Sequence, residues 1–160
     1  MCGIAGIIAL DRSAVDPTLL RQMAESLAHR GPDGEGYVAR EDCALGFRRL
    51  AIIDVEAESP PFPNEDRSIW TICNGQIYNA PDLTKELIAK GHQLRTETDT
   101  EVIPHLYEEY GADLVERLNG MFALAVWDEP RQRLLLARDR AGEKPLYYWS
   151  DGKELVFASD

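Results

Sequence analysis

An unbroken apolar run, Gly3 to Leu10, starts two residues from the amino terminus and stops at Asp11-Arg12-Ser13. A run of this length with no polar face predicts a buried strand. It falls far short of the roughly 20 residues needed to span a bilayer, and no basic segment precedes it, so it is not a signal peptide. The 160 residues, 44% of them hydrophobic, suffice for one domain with a substantial core. Acidic residues outnumber basic ones, 28 to 17, for a formal net charge of -11. That balance disfavours nucleic acid and anionic membrane as partners. Cys2, Cys43 and Cys73 are odd in number and unpatterned in spacing. They argue against a disulfide framework and for a cytoplasmic location.

Punctuation along the chain predicts helices among short strands. Asp16-Pro17 supplies an N-cap and first-turn proline, followed by Leu20, Met23 and Leu27 at helical spacing. The glycine-rich segment from His29 to Gly36 predicts a loop. Tyr37 to Val38, Ala44 to Phe47 and Leu50 to Val55 read as strands, with Arg48-Arg49 as an interruption, and proline-rich Glu58 to Arg67 as a loop. Ser68 to Cys73 predicts a strand that meets Asn74-Gly75, a strong turn signal, and resumes at Gln76. A helix from about Pro81 buries Leu83, Leu87 and Ile88 and ends at Gly91. Thr98 and Glu101 predict a capping box opening a further helix that Gly111 closes. Met121 to Trp127, Arg133 to Arg138, Leu146 to Trp149 and Glu154 to Ala158 are further strand-like runs. The class is α+β with largely antiparallel sheets.

Cys2 directly follows the initiator methionine, and a small second residue favours removal of that methionine. The trimmed chain would carry a thiol and a free α-amine on one residue. That amine has an ordinary pKa of roughly 7.7 to 8.0 and can accept the thiol proton near neutrality. Position alone favours an ordinary small residue at a strand end. Cys43 and Cys73 read as small buried hydrophobes. His29, His92 and His105 look isolated, without metal-ligand spacing, and no metal site is expected.

Five motifs occur in order: Met1 to Gly6 (MCGIAG), His29 to Gly34 (HRGPDG), Arg49 to Asp54 (RLAIID), Asn74 to Asn79 (NGQIYN) and Arg138 to Tyr147 (RDRAGEKPLY). Together they resemble the glutaminase domain of asparagine synthetases, class II glutamine amidotransferases with an N-terminal nucleophile, over the whole chain. The resemblance implies a four-layer αββα sandwich of two mostly antiparallel sheets, the Ntn-hydrolase type. It implies that Cys2 hydrolyses the side-chain amide of L-glutamine to glutamate and ammonia. Asn74 and the Gly75 backbone N–H would form the oxyanion hole. Arg49 would take the substrate carboxylate and Asp99 its ammonium, with Leu50, Ile52 and Ile53 lining the pocket through backbone groups. Arg30 to Gly36 would be a flap over the site.

Where such domains most often carry Asn-Gly-Glu, this chain has Gln76, a substrate-binding position that keeps a hydrogen-bond acceptor but loses a charge. The resemblance also implies continuation past Asp160 into an ATP-dependent synthetase domain, in cis or in trans, which most simply amidates aspartate. ATP and Mg2+ belong to that absent half, and no cofactor is expected in this chain. The chain thus reads as the amino-terminal part of a longer enzyme or as a shortened stand-alone version, with a homodimer left open. A catalytically silent amino-acid-binding or interaction domain, and an amidotransferase acting on another carboxylate, are the alternatives.

Overall fold

In a computed structural model the protein is described over residues 1–51 and 59–160. The expected strand from Leu50 to Val55 therefore lies mostly outside the described residues, as do Ile52 and Ile53. One sheet has five strands in the order β2-β3-β1-β9-β8: β1 (Gly3–Ala9), β2 (Gly34–Ala39), β3 (Cys43–Arg49), β8 (Tyr147–Ser150) and β9 (Glu154–Ala158). The other has four in the order β4-β5-β6-β7: β4 (Phe62–Pro63), β5 (Ile69–Ile77), β6 (Gly120–Asp128) and β7 (Arg133–Arg138). Every pairing among the described residues is antiparallel.

The apolar run becomes β1, buried along its whole length. Alternation along the strand explains why it has no polar face. Ile4 and Ile8 enter the layer between the sheets with Leu45, Ile72, Ala125 and Phe157. Ala5, Ile7 and Ala9 face the opposite way, against Leu20 and Leu27 of the segment formed by α1 (Pro17–Ser26) and the turn after it. On the far side of the second sheet, Cys73 and Ile77 of β5 pack with Leu83 and Leu87 of α2 (Ala80–Ala89) and with Ile103 and Leu106 of α3 (Val102–Tyr110). A short α4 (Leu114–Arg117) completes that layer through Leu114. The result is the expected αββα sandwich.

Local signals held at the start of α1 and at the end of α2. Asp16 caps α1 by accepting the Thr18 N–H at 2.8 Å, and Gly91 terminates α2 with φ of +102°, a conformation glycine adopts freely. Ile88, expected inside, is 58% exposed. The capping box does not form. The Glu101 carboxylate instead accepts the N–H groups of Arg95 and Thr96 at 2.7 and 2.6 Å, which ties down the approach to a 3-10 turn at Asp99–Glu101. Phe62 and Pro63, inside the expected loop, form the short edge strand β4, where a proline costs no ladder bond.

Arg48-Arg49 does not interrupt a strand: β3 runs through both, paired with Gly34 and Glu35 of β2. The Asn74-Gly75 turn is also overturned, because β5 continues through both residues opposite Ala123 and Phe122 of β6. A Cβ at position 75 would collide with the Met121 carbonyl and the Phe122 backbone. Glycine is required here by the close approach of a neighbouring strand, not by a turn. His92 and His105 are not isolated, their ring centroids lying 5.2 Å apart.

Candidate active site

A cavity of about 100 Å³ opens where β1 begins, and Cys2, Arg49, Asn74, Gly75, Gln76 and Asp99 all contribute to its lining. Four separate parts of the chain deliver them: the start of β1, the end of β3 with the residue after it, the second half of β5, and the 3-10 turn before α3. Side-chain parity aims two of them inward. Cys2 shares its face with Ile4, and Asn74 shares its face with Ile72, so both project into the layer between the sheets.

Cys2 is held from two sides. The Leu50 N–H donates to its Sγ at 3.3 Å, and the guanidinium Nε of Arg30 donates to its carbonyl at 3.3 Å. Arg30 is in turn paired with Asp160, 2.7 Å away. Burial pushes the Cys2 thiol above its ordinary range, and the Leu50 N–H, the chain's terminal ammonium and Arg49 only partly offset that. The sulfur is therefore a thiol near neutral pH and needs a base to become a nucleophile.

Asn74 is 1% exposed and its Nδ2 is a buried donor without a hydrogen-bond partner. Leaving such a group unpaired typically costs about 1–3 kcal/mol. A donor kept in this state beside a cavity is pre-arranged for an acceptor that arrives with a ligand.

The Gly75 N–H is placed by strand pairing. Phe122, its partner on β6, sends its N–H to the Asp139 carboxylate at 3.1 Å and its carbonyl accepts the Asp139 N–H at 2.8 Å, so both groups face β7. In an antiparallel ladder the residue opposite then turns its own N–H away from the partner strand. Gly75 and Ile77 thus present their N–H groups along the other edge of β5. The Ile77 N–H donates to Asp99 Oδ2 at 2.6 Å. Burial raises the Asp99 carboxyl above the ordinary carboxylate range despite this bond and that from Thr100.

Arg49 is 7% exposed, and its carbonyl accepts the Asp33 N–H at 2.9 Å. The Asp33 carboxylate takes the Ala51 N–H at 2.9 Å. The glycine-rich segment is thereby fastened to the end of β3. Cβ atoms on Gly31 and Gly36 would strike the Arg48 and Pro60 carbonyls, so both glycines serve close packing.

Met1 and Lys144 also line the cavity, with no role assigned from the sequence. Met1 extends into the cavity, its terminal ammonium donating to the Arg30 carbonyl at 3.2 Å. Lys144, 8% exposed, places Nζ 3.6 Å from Met1 Sδ. It reaches the cavity because the Asp139 carboxylate accepts the Glu143 and Lys144 N–H groups and folds that turn inward. The motif Arg138 to Tyr147 was the available signal for it.

The fold has solved counterparts. Glutamine phosphoribosylpyrophosphate (PRPP) amidotransferase from B. subtilis, complexed with ADP and GMP, superposes with a TM-score of 0.80. The superposition covers 99% of this chain and 42% of that one at 23% identity, which shows a shared fold. In sequence, the chain is 42% identical over its full length to glutamine-hydrolysing asparagine synthetase 1 of Bacillus subtilis (strain 168), of which it covers 26%. It is 41% identical, again over its full length, to glutamine-hydrolysing asparagine synthetase 3 of Arabidopsis thaliana, covering 28%. The chain therefore spans about a quarter of the length of these relatives. Residues 1–160 match the glutamine amidotransferase domain family, and the chain belongs to it.

Proposed function

We propose that this chain hydrolyses free L-glutamine to glutamate and ammonia with Cys2 as the nucleophile. The reading is carried by one observation: the Cys2 sulfur, the unpartnered buried amide of Asn74 and the outward-turned edge of Gly75 share one small cavity with Arg49 and Asp99. Removal of Met1 frees the Cys2 α-amine, which takes the thiol proton that burial otherwise retains. The sulfur then attacks the side-chain amide carbon. The carbonyl π pair moves onto oxygen, where the Asn74 Nδ2–H and Gly75 N–H donate to it. Collapse re-forms the carbonyl, breaks the C–N bond and releases ammonia with the proton returned from the amine. Water then cleaves the thioester to glutamate and restores the thiol. Arg49 grips the α-carboxylate and Asp99 the α-ammonium, while Leu50 holds the sulfur.

The ammonia is consumed by an ATP-dependent synthetase domain, in cis or in trans, that amidates aspartate. That acceptor is supported by the glutamine-hydrolysing asparagine synthetases among the relatives. We place the reaction in the cytoplasm, as three free cysteines favour. No helix among the described residues is long and apolar enough to cross a membrane.

The test compares ammonia release from glutamine by the processed protein, by its Cys2→Ala variant and by a chain with one uncleaved residue before Cys2. Turnover is expected only in the first, with intact mass establishing loss of Met1. Equal release by all three, or none by the processed protein, would favour a silent binding domain.

A further inference from the structure

Away from the cavity, the helical layer gathers four potential ligands that the chain supplies from three separate places. Glu65 lies in the connection between β4 and β5, His92 just past α2, and His105 and Glu108 one turn apart on the same face of α3. Each offers one donor atom, and these atoms all lie within 4.8 Å of one another. The Glu65 carboxylate stands 3.1 Å from His92 Nδ1 and 3.2 Å from His105 Nδ1, and Glu108 Oε2 stands 3.9 Å from His92 Nδ1. A tetrahedral Zn2+ with bonds of about 2.0–2.2 Å needs donor separations of about 3.3–3.6 Å. The cluster brackets that size.

We propose that Glu65, His92, His105 and Glu108 form a structural binding site for a divalent transition metal, best matched by Zn2+. Imidazole nitrogen and carboxylate oxygen in a two-plus-two set suit this ion better than Mg2+ or Ca2+, which prefer oxygen alone. The surroundings provide outer support. His92 Nε2 faces Glu109 Oε1 at 3.3 Å, the Gln93 N–H donates to Glu65 Oε1 at 2.9 Å, and Asn64 Nδ2 donates to Glu108 Oε2 at 3.4 Å. Such contacts orient metal ligands. His105 is 1% exposed, whereas the Glu65 and Glu108 side chains reach solvent and leave an entry path. An ion here would tie the β4–β5 connection to the end of α2 and to α3 and steady the segment that leads into Asp99.

The site is tested in the protein carrying Cys2→Ala, which removes the cavity sulfur as a competing ligand. After chelator treatment, Zn2+ titration by calorimetry is expected to give one equivalent at this site with micromolar or tighter Kd. The thermal midpoint should rise with added Zn2+, and Co2+ should give the intense visible absorption of tetrahedral coordination. His92→Gln and Glu108→Gln, the first at a largely buried and the second at an exposed side chain and each chosen to preserve the fold, should weaken binding at least tenfold and remove the thermal shift. No saturable uptake, binding only at millimolar Zn2+, affinity unchanged in both variants, or a weak six-coordinate Co2+ spectrum would each overturn the assignment.

Discussion

Asp99 Oδ2 accepts the Ile77 N–H at 2.6 Å, two residues beyond Gly75 on the same edge of β5, so one strand edge carries both the proposed oxyanion donor and the anchor of the proposed ammonium clamp. Exchanging Asp99 for Asn keeps the shape and an acceptor but removes the charge. KM for glutamine should rise by about 10- to 100-fold, the worth of one charge-assisted hydrogen bond. Stability should move the other way. A carboxyl whose folded pKa lies above its unfolded value weakens the fold as pH rises from the unfolded pKa through the folded one. Asp99→Asn lacks that penalty, so its thermal midpoint relative to the parent should increase as pH is raised from about 3.9 toward neutrality. A midpoint difference independent of pH would contradict the buried carboxylate.

Asn74 separates binding from catalysis. Its amide donor is unpartnered and buried, and its proposed acceptor gains full negative charge only in the tetrahedral intermediate. Asn74→Ala should lower kcat by about 10²- to 10³-fold with KM nearly unchanged. A KM effect with kcat preserved would make Asn74 a ground-state binding residue instead.

Gln76 lines the same cavity without a charge. If the substrate ammonium lies within its reach, Gln76→Glu should lower KM by several-fold at neutral pH. The gain should fade as the pH drops toward the carboxylate range, where the new side chain becomes neutral. Steady-state kinetics of the two proteins at pH 5 and 7.5 decide this. Equal KM values at both pH values would place the ammonium elsewhere.

Much of this arrangement is legible in the residues, and the failures share a cause. Strand β1 and the caps of α1 and α2 follow from local signals, because their determinants lie within a few positions of one another. Asn74-Gly75 carries the signature of a hairpin turn, yet β6 pairs along both residues and its backbone approaches too closely for any side chain at position 75. Thr98 and Glu101 fit a capping box, yet the Glu101 carboxylate finds better donors at Arg95 and Thr96. The pairing of Arg30 with Asp160, 130 residues away, and the gathering of Glu65, His92, His105 and Glu108 have no local signal. Such contacts exist only after the layers have packed.

Gly75 should be as intolerant of a methyl group as its packing implies. The Cβ of Gly75→Ala meets backbone atoms of Met121 and Phe122, which cannot rotate aside. Forcing the strands apart should cost about 1–3 kcal/mol, which is roughly a 2–12 °C fall in thermal midpoint for a chain of this size. It should also displace the Gly75 N–H and lower kcat. A variant of unchanged midpoint would show that β5 and β6 can separate locally at no cost.

The protonation state of Cys2 offers a check that needs no substrate. Burial raises its thiol, and the Leu50 N–H, terminal ammonium and Arg49 offset that only in part. In a chain with Met1 retained or one residue added, alkylation by iodoacetamide should be slow at neutral pH and still rising above pH 9. In the processed chain the adjacent amine accepts the proton, so alkylation should already be appreciable at neutral pH and follow a midpoint near about 7.7–8.0. Mass spectrometry of the amino-terminal peptide across pH 6–10 resolves the two profiles. Superimposable profiles would remove the α-amine as the base and leave the thiol without a partner for its proton.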